Sequence, residues 1–103
     1  MTMLKSSQEA SLNSLLKNKK KISFILLYYS EWCDNSKAII KMAKEWLKGE
    51  GDETLYAVSS WELPHAFAAF SVNSAPTLVD NDAGKVSVHV EYPKVYDFFS
   101  IKE

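Results

Sequence analysis

The sequence holds one cysteine, Cys33, and no arginine. With a single thiol no intramolecular disulfide can form, which excludes a stapled secreted fold. All twelve basic residues are lysine, set against 13 acidic ones for a net charge of −1. Bidentate reading of phosphates and base edges relies on the arginine fork, and a balanced charge offers no basic field, so nucleic acid is not an expected partner. Long apolar runs are also missing. The longest, Phe24–Tyr29, falls far short of the ~20 residues that cross a bilayer. The segment Met1–Lys21 is polar with scattered leucines and lacks the apolar core of a signal peptide. No membrane association and a cytoplasmic location are therefore expected. Linkers, repeats and low-complexity tracts are absent too.

What remains is a chain of 103 residues, 47% of them hydrophobic. That suits one globular domain spanning 1–103, long enough to bury a core without staples. Residues Ser7–Lys19 read as a helix, because Leu12, Leu15 and Leu16 share one face. Ser6 or Ser7 is available as its cap. The lysines at 17, 19, 20 and 21 suit the negative end of its dipole. Ile22–Tyr29, apolar and rich in β-branched and aromatic residues, reads as a central strand covered on both faces. A polar turn, 30–36, follows. A second helix then runs to about Lys48, with Ile39, Ile40, Ala43, Trp46 and Leu47 as its apolar stripe and Lys37, Lys41, Lys44 and Lys48 as its solvated face. Gly49 and Gly51 are expected to stop it. Thr54–Ser59 has strand composition, and Pro64–Phe70 looks like a short helix. Thr77–Val79 and Lys85–Val90 read as strands joined by a hairpin turn at 81–84. Pro93–Ile101 closes the chain as a helix. The order α-β-α-β-α-β-β-α implies an α/β fold, a central mixed β-sheet flanked by helices on both faces.

Two local motifs bear on chemistry. The first is Glu31-Trp32-Cys33-Asp34-Asn35-Ser36, between a buried strand and a helix. A cysteine at the first turn of a helix faces unpaired backbone N–H groups and the positive end of the dipole, and both favour the nucleophilic thiolate. The second is the segment 70–79, Phe-Ser-Val-Asn-Ser-Ala-Pro-Thr-Leu-Val. His65 and His89 have no ligand spacing around them, so neither a metal site nor any other cofactor is expected.

The element order and the two motifs together resemble the thioredoxin-like superfamily. The first motif is similar to that family's Trp-Cys-Gly-Pro-Cys turn. The second is similar to its segment ending in a cis-proline followed by threonine. The resemblance extends from about Phe24 to the end of the chain. It implies a thioredoxin-like fold, a cis Ala75–Pro76 bond, and a substrate groove in which Ala75 offers its backbone to an extended peptide beside Cys33.

Four departures from the family pattern shape the functional expectation. Ser36 stands where the resolving cysteine would be; its hydroxyl can donate to the Cys33 thiolate but cannot release a mixed disulfide. Asp34-Asn35 replaces Gly-Pro. Asp34 opposes the thiolate and Lys37 supports it, which leaves the net sign open. Leu27 occupies the place of the family's buried acid. Glu91-Tyr92-Pro93 replaces a glycine-containing segment, so Tyr92 is expected beside Cys33 and the Ala75–Pro76 turn.

The resemblance implies thiol–disulfide exchange through Cys33, with a protein disulfide or a glutathionylated cysteine as substrate and an external thiol as resolver. The alternative is a redox-inactive module that binds a protein partner through the groove of Trp32, Ala75, Pro76 and Tyr92. In either reading Cys33 and Ser36 form the reactive centre or its remnant, and Trp32, Asp34, Asn35, Ala75, Pro76 and Tyr92 line the binding surface. A monomer is expected.

Overall fold

The computed structural model describes residues 2–50 and 55–101. Its centre is strand β2 (Ser23–Tyr29), with five consecutive buried residues, Phe24 to Tyr28. Strand geometry sends alternate side chains to opposite faces. Phe24, Leu26 and Tyr28 pack on one side against Leu12 of helix α1 (Glu9–Lys17) and against Leu63 and Ala66. Ile25 and Leu27 pack on the other side against Ile39 and Ala43 of helix α2 (Asp34–Glu50) and Val95 and Phe99 of helix α3 (Glu91–Ile101). Each such buried side chain contributes roughly 1.5–3 kcal/mol, so β2 is the mechanical core on which the site is mounted.

The sheet has five strands in the order β1-β3-β2-β4-β5. Strand β3 (Leu55–Ser59) runs parallel to β2, whereas β4 (Thr77–Asp82) runs antiparallel to it and pairs antiparallel with β5 (Lys85–Val90). This is the mixed sheet, covered on both faces, that the alternation of elements implies. Among the described residues, no helix is long and apolar enough to cross a membrane.

Several elements differ from the sequence reading. A first strand, β1 (Thr2–Leu4), pairs parallel with β3 through Thr2–Tyr56, Met3–Ala57 and Leu4–Val58. Three residues carry no periodicity, and a ready-made sheet edge supplies their partners. The first helix opens with a 3-10 turn at Ser6–Gln8, and α1 itself begins at Glu9, its N-cap Gln8 making no side-chain cap bond. Serine capping is thus replaced by one local contact and one long-range contact. Gln8 Oε1 accepts from the Lys5 N–H (2.9 Å), and Glu62 Oε1 accepts from the Ser6 N–H (3.1 Å). Helix α2 continues through Gly49 to Glu50, while Gly51 and Thr54 lie outside the described residues. Helix α3 starts at Glu91, two residues before Pro93.

The hairpin turn is shorter than expected and comprises Ala83 and Gly84 alone. Both have positive φ, 50° and 102°, the geometry of a tight two-residue connection between twisted strands. Buried Asn81 secures it. Its Oδ1 accepts from the Gly84 N–H (3.2 Å), and its Nδ2 donates to the carbonyls of Lys19 (2.9 Å) and Ile22 (3.0 Å). One amide thereby ties the turn to the loop between α1 and β2.

This framework places two loops side by side. Tyr28 of β2 is paired with Thr77 of β4, so the turn leaving β2 and the turn entering β4 meet at the same end of the sheet. The Ala75–Pro76 peptide in the second turn is cis.

Candidate functional site

The turn at 30–33 closes with the Cys33 N–H donating to the Ser30 carbonyl at 3.2 Å, and the Cys33 carbonyl accepts from the Lys37 N–H at 3.1 Å. Cys33 is therefore the capping residue of α2, with Asp34, Asn35 and Ser36 as the first three helical positions. A side chain at the cap meets the N–H groups of the second and third positions, which have no partner inside the helix. The backbone N–H groups of Ser36 and Asn35 donate to Cys33 Sγ accordingly. The Ser36 hydroxyl is a third donor. It is fully buried and held in place from behind, since its Oγ accepts from the Ser30 N–H at 3.2 Å.

These donors hold the Cys33 thiol below its ordinary pKa. The Ser36 N–H has the largest effect, then the Ser36 hydroxyl, with a smaller contribution from the Asn35 N–H; burial and the Asp34 carboxylate push the other way. The balance of opposed charges left open by the sequence is thus decided by hydrogen bonds. The thiol is half-buried, and its Sγ lies 3.9 Å from the carbonyl oxygen of Ala75, the residue before the cis-proline. Cys33, Asn35, Ser36 and Ala75–Pro76 therefore form one locus. Asp34, on the same turn, points to solvent.

The sign of the thiol shift sets a pH dependence. A pKa lower in the fold than in the unfolded chain means that the thiolate favours folding. That contribution is complete above the free-thiol value of about 8.5 and disappears as pH falls through the folded pKa. The stability of the wild type relative to Cys33→Ser should accordingly rise with pH up to about 8.5 and then level off. Solvent screening of a half-exposed thiolate limits the gain to no more than about 1 kcal/mol. Urea titrations of both proteins at several pH values read this difference directly; a flat difference would mean that the thiol is not ionised by the fold.

Trp32 is paired as the sequence could not specify. It is 70% exposed and stands edge-to-face with Trp61, 68% exposed, their ring centroids 5.3 Å apart. The two segments are joined by Ser59, buried at the end of β3. Its hydroxyl donates to Glu31 Oε2 and accepts from the backbone N–H groups of Trp61 (3.0 Å) and Glu62 (3.2 Å). Glu31, Ser59 and Glu62 were not legible as neighbours, because the only signal was Glu31 beside Trp32 in the first motif.

Tyr92, the second residue of α3, is half-buried against the core of Leu27, Leu78 and Phe99, its ring 5.8 Å from that of Tyr96. Because Val90 pairs with Thr77, Tyr92 lies at the same end of the sheet as Pro76. Leu27 is fully buried among Ile39, Leu55 and Leu78, so the place of the family's acid is filled by hydrocarbon. Trp46 and Phe70 pack as core residues, and no group of three or more His, Cys, Asp or Glu suited to a metal occurs among the described residues.

No protein-family model and no curated protein matches the sequence. Solved structures do. Thioredoxin O2 from Arabidopsis thaliana superposes with a TM-score of 0.80 at 26% identity, over 97% of this chain and 89% of that one. Thioredoxin from Fasciola hepatica gives 0.74 at 20% identity over 100% of both chains. Thioredoxin O1 from Arabidopsis thaliana gives 0.74 at 20% identity, over 97% of this chain and 95% of that one. A thiol at the cap of α2, a facing cis-proline and this sheet order converge on one description: the chain has a thioredoxin-like fold, with its one cysteine in a turn that reads Trp-Cys-Asp-Asn-Ser.

Proposed function

We propose that this protein carries out thiol–disulfide exchange through Cys33 alone. The observation that carries the reading is the convergence of two backbone N–H groups and the Ser36 hydroxyl on a half-exposed Sγ beside the Ala75 carbonyl. The Cys33 thiolate attacks one sulfur of a protein disulfide or a glutathionylated cysteine. A Cys33–substrate disulfide forms, and the other sulfur leaves as a thiolate. A second thiolate from solution, such as glutathione, then attacks the substrate sulfur. Cys33 departs as the thiolate and the external thiol is left in disulfide linkage with the substrate. The substrate disulfide is exchanged and the external thiol is oxidised; electrons balance with no cofactor. Ser36 assists by donating to the Cys33 thiolate both before attack and as the leaving group. The likeness to thioredoxins supports redox chemistry of this general kind.

The test is the rate of Cys33 alkylation by iodoacetamide against pH. The midpoint is expected below the free-thiol value of about 8.5, and Ser36→Ala should move it upward by removing one donor. A midpoint at or above 8.5 would favour a second reading, a partner-binding module. The exposed Trp32–Trp61 pair is the observation on that side, since large exposed aromatics mark contact surfaces.

A further inference from the structure

The Trp32–Trp61 pair is more than an apolar step beside the nucleophile. The chain reads Glu31-Trp32 on one segment and Trp61-Glu62 on the other, and the Ser59 hydroxyl brings these mirrored pairs together by bonding Glu31, Trp61 and Glu62 at once. Both carboxylates act on the Tyr29 hydroxyl, whose pKa is raised by burial first, then by Glu31, and, after the opposing Ser59 hydrogen bond, by Glu62. The two glutamates thus lie within electrostatic reach of one point. Asp34, exposed and next to Cys33 in sequence, adds a third carboxylate to the same turn. Among the described residues, Glu31, Asp34 and Glu62 are neutralised by no ion pair, and Glu31 Oε1 is shut off from solvent with no hydrogen-bond donor. Two tryptophans 68–70% exposed, with the carboxylate of Glu62, which forms no ion pair, next in sequence to one of them and the buried charge of Glu31 behind, form a surface complementary to a cation on a flexible stem. Aromatic faces attract ammonium and guanidinium groups, and carboxylates at the rim add to that attraction.

We infer that Trp32 and Trp61, with Glu62 beside them, receive a lysine or arginine side chain of the substrate polypeptide, close in sequence to the cysteine whose disulfide Cys33 attacks; Glu31, turned inward onto Ser59, adds only its charge from behind. This rests on the proposed exchange reaction and names its substrate class: disulfides set in a basic stretch of polypeptide. Small disulfides and those flanked by acidic residues are poor substrates by comparison.

The experiment uses the full chain and three peptides, each with one cysteine in disulfide linkage to 5-thio-2-nitrobenzoate. The residues on both sides of that cysteine are lysine, norleucine or glutamate. Release of the chromophore gives the second-order rate constant, divided by that of free glutathione with the same peptide to remove differences intrinsic to the probe. The lysine peptide should react about tenfold faster than the glutamate peptide at low salt and faster than the norleucine one. The lysine–glutamate ratio should shrink towards unity in ~0.5 M salt, as screening requires. In Trp61→Ala and in Glu62→Gln the ratio should fall at least threefold. Equal rates for the three peptides, or a fastest norleucine peptide, would overturn the cation site and leave exchange through Cys33 standing. Release from none of the peptides would instead remove the exchange reaction itself, and the cation site as a substrate site with it.

Discussion

Incubated with oxidised glutathione at neutral pH, the folded protein should acquire one glutathione on Cys33 and hold it until another thiol is supplied. In Ser36→Cys the adduct should decay faster by about a hundredfold or more at millimolar external thiol, because effective molarities of well-oriented intramolecular groups reach roughly 10⁵ M. Geometry underlies the expectation. The Ser36 hydroxyl already hydrogen-bonds Cys33 Sγ and is braced by the Ser30 N–H, so a thiol at that position stands within reach of the sulfur it must attack. Reductase activity should return only in part. Leu27 offers no acid or base beneath the site, and the Asp34 charge disfavours thiolates near it. Intact-mass spectrometry over time distinguishes the cases. A lifetime unchanged by Ser36→Cys would show that position 36 does not face the reacting sulfur. An adduct on unfolded but not on folded protein would mean that Cys33 is sequestered, and the partner-binding reading would take over.

Installing the family's acid should be costly. Leu27→Asp is expected to lower stability by roughly 4 kcal/mol at pH 7, the scale of an uncompensated buried charge. Leu27 is fully buried among Ile39, Leu55 and Leu78, none of which can donate a hydrogen bond to a new carboxylate. The introduced acid is neutral more readily in the fold than in the unfolded chain, so its folded pKa lies above the unfolded 3.9. The loss should therefore be smallest near pH 4 and grow by up to about 1.4 kcal/mol per pH unit until the folded pKa is passed. Urea midpoints of wild type and variant at pH 4 and pH 7 test both magnitude and direction. A loss below about 1 kcal/mol, independent of pH, would mean that water reaches this part of the core.

Both predictions turn on positions whose importance is visible in sequence only as a departure. Ser36 and Leu27 look unremarkable by composition; they matter because of where the chain places them relative to Cys33. The same contrast runs through the fold. The run Phe24–Tyr28 announces a central strand, because uninterrupted apolar side chains of strand type are soluble only when covered on both faces. Leu12, Leu15 and Leu16, and the stripe of Ile39 and Ala43, announce the helices that cover it. Elements with little periodicity of their own were not readable. β1 exists because β3 offers it an edge, and α3 gains two residues before Pro93.

At the site the division is equally physical. Sequence alone determined that there is one thiol, that it stands at a helix start after a buried strand, that no second thiol can resolve an adduct, and that a proline follows at a turn. These are facts of composition and short-range spacing, which local backbone preferences convert into structure. Tertiary structure alone decided the rest. It set the thiol pKa downward, through donors whose strength depends on distances of about 3 Å; it brought Ala75 to 3.9 Å from Cys33 Sγ; and it joined Trp32 to Trp61 through Ser59 on a neighbouring strand. Contacts between segments far apart in the chain are chosen by strand register and sheet order, and these arise from packing of the whole core rather than from the residues that happen to meet.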